Sequence, residues 1–283
     1  MKYFRFLIIS IVLIYFINCN QNAPTKGHLF IIGGGHRPPY MVEKIVELAG
    51  GQDARIMIIP NASGIPEEVA QYQQKQFQNT VAASAEYMLF DSSEANLREN
   101  LKRLENINCI FFSGGDQRRL PRDLLNTKIL KRIKEIYQKG GVISGTSAGA
   151  AVMSEIMITG DELIDTTDDK KFTSIKKKYI KTSPGFGFIK NAIIDQHFVK
   201  RKRLNRLLSL VIEHRTLGIG IDESTAIYID PKNQCQVFGE NTVLFIDGTR
   251  LRDVQTDKQD NFAAKNIQLD ILKSGQIYNR KVN

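Results

Sequence analysis

Gly145-Thr146-Ser147-Ala148-Gly149 has the G-x-S-x-G spacing in which a serine can act as a nucleophile. The pentapeptide follows the apolar run Gly141-Val142-Ile143-Ser144 and opens the Ala-rich stretch Ala150-Ala151-Val152-Met153, so a strand, a sharp turn and a helix are predicted around Ser147. A turn that sharp strains the serine backbone and brings strand and helix together, leaving no room for side chains at 145 and 149. The Ala148 amide at the helix start could stabilise an oxyanion. The competing interpretation is a glycine-rich turn whose serine only caps the helix.

A serine nucleophile needs a base, and the chain has four histidines: His28, His36, His197 and His214. His28 opens a strand, and His214 ends a helix at Glu213-His214-Arg215, where a solvated cation is expected. His36, just past Gly33-Gly34-Gly35, could line a cleft. His197 follows the apolar run Ala192-Ile193-Ile194-Asp195-Gln196, which puts it at the C-terminal end of a strand, the edge where open α/β sheets place their sites. Asp222 and Glu223 end another strand, Gly218-Ile219-Gly220-Ile221, and either could orient a histidine. The chain order serine, histidine, acid is not that of the α/β-hydrolases. Gly33-Gly34-Gly35 lacks the G-x-G-x-x-G spacing of a nucleotide loop and reads as a turn.

The elements that must position these residues alternate from Gly27 onward, apolar strand-like runs with amphipathic helical ones, which predicts a parallel sheet covered by helices. Strands are expected at 28–32, 55–59, 86–90, 109–112, 141–144, 192–196, 218–222 and 226–229, and helices at 40–49, 66–80, 124–138 and around Leu204, Leu207, Leu208 and Val211. Residues 232–247 read as β-hairpins, 249–266 as a polar excursion, and 269–272 as a last strand.

Four stretches in order carry a resemblance: Phe112-Ser113-Gly114-Gly115-Asp116-Gln117; Gly145 to Ala150; Asp195-Gln196-His197-Phe198 followed by Arg201, Arg203 and Arg206; and Gly218 to Glu223. Together they resemble the cyanophycinases, serine peptidases related to the aspartyl dipeptidases, from about Gly27 to the final strand. The resemblance implies a flavodoxin-like or class I glutamine amidotransferase-like α/β sandwich, a homodimer, and cleavage of a poly-aspartate whose β-carboxyls carry arginine into β-Asp-Arg dipeptides. By position it implies Ser147 as nucleophile, His197 as base and Glu223 as orienting acid, with an oxyanion hole from the amides of Gly115 and Ala148. Gln117, Asp195, Gln196, Arg201, Arg203 and Arg206 fall at substrate-pocket positions. Guanidinium groups suit substrate carboxylates, and Asp195 would accept a substrate arginine. Arg203 and Arg206 are expected within ~60° of each other on a helix, opposite Leu204, Leu207 and Leu208. The alternatives are an aspartyl dipeptidase or a peptidase of another acidic peptide, and a binding lipoprotein without turnover.

With 283 residues, 42% hydrophobic and 24% charged, the chain can bury one large α/β core, and 24–283 reads as a single domain. Lys and Arg outnumber Asp and Glu 39 to 30, a net charge of +9 that points to an anionic partner. The Lys170, Lys171, Lys176, Lys177, Lys178 and Lys181 segment reads as a solvated loop or a landing strip for a polyanion or an anionic membrane. Few aromatic residues lie near these lysines and the chain has no Trp, so nucleic acid is not an expected partner. Three cysteines make no disulfide framework, Cys109 and Cys235 read as small core residues, and no zinc-type spacing occurs, so no metal or organic cofactor is expected. At the N-terminus Lys2 and Arg5 precede the apolar run Phe6–Ile17. As a helix this rises only ~18 Å against a ~30 Å hydrocarbon core, so residues 1–19 read as a signal peptide and the protein as exported. Cys19 falls where a bacterial lipoprotein carries its lipid and would anchor the protein to a membrane. Asn18 departs from the usual small residue before it, and a plain signal or uncleaved anchor is the alternative.

Overall fold

The computed structural model describes residues 27–162 and 173–279. The signal-peptide reading, Cys19, Lys170 and Lys171 therefore lie outside the described residues. An eight-stranded sheet forms the centre, and its parallel part runs β3 (Ser84–Tyr87), β2 (Arg55–Ile59), β4 (Cys109–Phe112), β5 (Val142–Thr146), β1 (His28–Ile32). Antiparallel β10 (Thr225–Ile229), β11 (Cys235–Gly239) and β16 (Ile277–Tyr278) extend it past β1.

Both faces of the parallel strands are apolar, as a sheet covered on two sides requires. Phe30 and Ile32 point to α1 (Pro39–Leu48) and α2 (Pro66–Gln78), packing with Met41, Ile45 and Phe77. Leu29 and Ile31 face the other way, toward α4 (Arg119–Leu124), α5 (Lys128–Gln138) and α6 (Ala148–Ala151), with the short α3 (Arg98–Lys102) outside α5. A second sheet packs on this same side, in the order β15 (Gln268–Lys273), β12 (Thr242–Asp247), β9 (Leu217–Ile221), β8 (Ala192–Gln196). β8 and β9 are parallel, and α7 (Leu204–His214) crosses between them. Two antiparallel pairs complete the description: β6 (Ile156–Glu162) with β7 (Ile180–Pro184), and β13 (Arg252–Thr256) with β14 (Phe262–Lys265).

The α/β sandwich with a mostly parallel sheet is as expected, and several details differ. Residues 124–138 are not one helix: Leu125 is extended, Asn126 takes φ 61°, a left-handed conformation that asparagine tolerates, and Thr127 caps α5 by accepting from the Leu130 amide at 3.2 Å. The third strand runs from Ser84 to Tyr87; Met88 makes one more bond, its amide donating to the Ile58 carbonyl of β2 at 3.0 Å, and the side chains of Met88 and Phe90 are buried in the core. β11 and β12 do not pair with each other; β10 and β11 make a hairpin, while β12 joins the second sheet. The polar excursion holds the β13–β14 hairpin, its turn closed by Asp257 Oδ1 accepting from the Gln259 and Asn261 amides.

Candidate active site

Ser147 stands alone between β5 and α6 with φ 53° and ψ −108°, a strained turn from strand into helix. A Cβ on Gly145 would lie 2.5 Å from the Gly149 carbonyl oxygen, and one on Gly149 would overlap the Phe112 carbonyl, so both glycines are needed for close approach. The Ser147 side chain makes no helix cap. Its Oγ instead lies 2.8 Å from His197 Nε2, which removes the capping interpretation.

His197 is the first residue past β8, and Glu223 the second past β9, the adjacent parallel strand. His197 Nδ1 is 2.6 Å from Glu223 Oε1. With the carboxylate accepting from Nδ1–H, Nε2 is left as an acceptor for the serine hydroxyl, the tautomer a general base needs. His197 is buried, and its pKa lies below the ordinary histidine value: burial lowers it most, Arg201 and Arg203 add to that, and the Glu223 hydrogen bond opposes them. The same hydrogen bond holds the Glu223 carboxyl below the usual glutamate value. Asp222, the other carboxylate at the end of β9, accepts from the Lys200 amide at 3.0 Å and so pins the loop after His197. His28 Nδ1 is 2.8 Å from the Tyr228 hydroxyl, and His36 and His214 are exposed.

Gly114 passes beside the serine, since a Cβ on it would be 3.3 Å from Ser147 Cβ. Gly115 has φ 142° and would overlap the Ala62 carbonyl with any side chain, while the next amide, Asp116 N–H, donates to that carbonyl at 2.8 Å. Ala148 N–H is the first amide of α6, a position with no partner within the helix.

The pocket residues divide. Arg201 is exposed on the loop after His197, and Arg203 is partly buried, its Nη1 donating to the carbonyl and side-chain oxygens of Gln196 at 2.5 and 2.7 Å. Burial, with Arg206 nearby, brings the Arg203 pKa down to about 10 against the pull of Asp195. Asp195 and Arg206 are corrections to the expected substrate contacts. Each is 1% exposed, and they hold one another in a two-point ion pair, Asp195 Oδ1 also accepting from the Gln196 amide. Asp195 has no surface left for a substrate arginine. Arg206 is buried with Leu207, while Leu204, expected on the apolar stripe, is 40% exposed. Gln196 is buried, and Gln117 donates its amide to the Ile158 and Thr159 carbonyls of β6 at 3.1 and 2.8 Å, tying the Gly115 loop to that strand.

Comparison with known proteins decides the family. The model of peptidase family S51 matches residues 29–237. The chain belongs to peptidase family S51. This S51 peptidase is 32% identical over 267 residues to a cyanophycinase of Geminocystis herdmanii, covering 91% of this chain and 95% of the relative. It is 31% identical over 270 residues to one of Nostoc sp. PCC 7120, covering 91% and 88%. A crystal structure of a peptidase from an acI-B1 actinobacterium superposes with a TM-score of 0.68 at 23% identity, covering 90% of this chain and 97% of the other. A putative peptidase E of Listeria monocytogenes has a TM-score of 0.53 at 20% identity, covering 76% and 99%. The protein is a serine-type peptidase related to the cyanophycinases.

Some residues of the S51 peptidase that shape the site were not picked out from its sequence. Ser113 Oγ donates to Gln73 Oε1 of α2 at 2.5 Å and fixes the start of the Gly114–Gly115 turn. Arg118 bridges Asp116 and Asp161, at 2.8 and 3.2 Å, joining the same turn to β6. Ser113 and Asp116 lie inside the Phe112–Gln117 motif, but their long-range partners, Gln73 and Asp161, carry no sequence signal of their own.

Proposed function

We propose that this peptidase hydrolyses cyanophycin to β-Asp-Arg dipeptides through an acyl-enzyme on Ser147. The observation that carries the reading is the hydrogen-bonded line from Ser147 Oγ through His197 to Glu223, with Arg201 and Arg203 on the loop beside it. Ser147 Oγ attacks the aspartyl carbonyl while His197 Nε2 takes its proton. The oxyanion accepts from the Gly115 and Ala148 amides. The imidazolium, steadied by Glu223, then protonates the leaving amine, and water admitted in its place is activated by the same imidazole to release the acyl group. Cyanophycin offers carboxylates for Arg201 and for the free edge of Arg203. For its arginines, Asp116, one residue past Gly115, and Asp161 of β6 are partly exposed carboxylates that already hold one guanidinium, that of Arg118.

The test is a substrate panel of cyanophycin, α-aspartyl dipeptides and β-aspartyl dipeptides, with products identified by mass spectrometry. Release of β-Asp-Arg from cyanophycin supports the reading. Cleavage of α-aspartyl dipeptides with cyanophycin left intact moves the substrate to small aspartyl peptides and keeps the mechanism. We also propose export with a lipid on Cys19, supported by the cationic start, apolar run and polar stop of residues 1–22. Fatty-acid labelling that is lost in Cys19→Ala supports the anchor, and an unlabelled wild-type protein removes it.

A further inference from the structure

The end of β1 lies beneath all three members of the proposed relay. Ile32, Gly33 and Gly34 offer consecutive carbonyls, and each accepts one amide: Ile32 from Ser147 at 3.1 Å, Gly33 from His197 at 2.8 Å, Gly34 from Ser224, the neighbour of Glu223, at 2.9 Å. The three donors share a positive φ. Their φ values are 53°, 50° and 51°, the left-handed region that residues with side chains rarely enter and that persists only where the surroundings enforce it. Here one short segment bonds all three.

The missing side chains matter as much as the carbonyls. A Cβ on Gly33 would overlap the Ile221 and Asp222 carbonyl oxygens at the end of β9. One on Gly34 would overlap the His197 imidazole, whose Nδ1 would be 2.9 Å away. One on Gly35 would sit 2.7 Å from Glu223 Cβ and 3.2 Å from its Oε2. A turn explains Gly34 and Gly35, with φ of 113° and 72°, but Gly33 has no positive φ. Close approach accounts for all three.

We propose that Gly33-Gly34-Gly35 is a positioning device for the peptidase reaction, its carbonyls setting the backbones of Ser147, His197 and Ser224 and its bare Cα atoms making the space for the imidazole and the Glu223 carboxylate. This rests on the assignment of Ser147, His197 and Glu223 given above. No glycine touches substrate; the segment acts through the relay.

The test compares Gly34→Ala and Gly35→Ala with Gly51→Ala, whose φ is also positive at 63° but whose Cβ would meet nothing within 4 Å, so it isolates backbone strain. Displacing the imidazole in Gly34→Ala lowers kcat about 10²-fold with KM within about twofold. In Gly35→Ala the pushed Glu223 no longer supports His197, which still faces Arg201 and Arg203; kcat falls and the acid limb of the kcat profile moves to lower pH. Gly51→Ala keeps the wild-type kcat and pH profile. Should Gly34→Ala fail to fold, Gly35→Ala decides, because its nearest approach, 2.7 Å to Glu223 Cβ, is milder than the 2.3 Å between a Gly34 Cβ and the His197 ring. Wild-type kcat and an unmoved acid limb in Gly35→Ala overturn the proposal, as does a kcat loss in Gly51→Ala equal to that in the other two. Ser147→Ala separates the levels: if it stays active, the underlying assignment fails; if it is inactive while both glycine variants match wild type, only the positioning role fails.

Discussion

Arg206 and Asp195 form a two-point ion pair with at most 2% of either side chain exposed, Arg206 Nε donating to Asp195 Oδ2 at 2.6 Å and Nη2 to Oδ1. The pair lies behind the loop that carries His197, Arg201 and Arg203, and Asp195 Oδ1 also caps the Gln196 amide next to the histidine. Its place in the molecule is support for that loop.

A buried pair costs most when one partner is removed, since the other is left charged and unsatisfied. Arg206→Met is expected to lose about 3 kcal/mol or more, or roughly 6–12 °C in Tm for a domain of this size. The double variant Asp195→Leu with Arg206→Met regains much of that. Thermal unfolding of the three proteins checks it, and equal stability of Arg206→Met and wild type would show the pair to be dispensable.

Gln117 separates a tether from a substrate contact. Its amide holds two carbonyls of β6, so Gln117→Ala removes two hydrogen bonds, and a loss of about 1–3 kcal/mol is expected. Because the same bond steadies the loop that carries Gly115, kcat falls while KM for cyanophycin stays near wild type. A KM increase with kcat unchanged would return Gln117 to the substrate-contact role.

The pH profile follows from the groups around His197. A base must be neutral, and burial with Arg201 and Arg203 keeps His197 neutral below the ordinary histidine pKa, so the acid limb of kcat/KM is expected below about 6.5. Arg201→Gln removes one cation that favours the neutral form. The limb then moves up in pH, which a rate profile of wild type and variant measures; a downward or absent shift contradicts the assignment of the base.

Glu223 is expected to matter through orientation. Glu223→Gln keeps the size of the side chain but loses the charge that selects the tautomer and steadies the imidazolium, and kcat is expected to fall by about 10²–10⁴-fold. Steady-state kinetics on cyanophycin check this. A fall no larger than about twofold would leave Glu223 without a catalytic part.

Much of this site was legible because its signals are local. The G-x-S-x-G spacing with its flanking apolar strand predicted the elbow, and apolar runs ending at Gln196 and Ile221 put His197 and Glu223 at strand ends on one edge. Whether Asp222 or Glu223 faced the histidine was not settled by the strand alone; the resemblance favoured Glu223, and side-chain direction in space agrees. Arg206 falls at a substrate-pocket position by the resemblance, and its burial is not legible in the sequence because its partner, Asp195, lies in another element. Gly33-Gly34-Gly35 was visible as a turn, but its three neighbours come from β5, β8 and β9, whose packing no local pattern records. The same reason hid β6 and β7, whose pairing spans the segment 163–172 and shifts register between Ile158 and Glu162.

The most direct test of the central claim is the rate at which Ser147→Ala releases β-Asp-Arg from cyanophycin beside the wild-type protein. Wild type is expected to release the dipeptide, and the variant to be slower by about 10³-fold or more while unfolding at a similar temperature. Release by Ser147→Ala at a tenth of the wild-type rate or faster would contradict the assignment of the nucleophile.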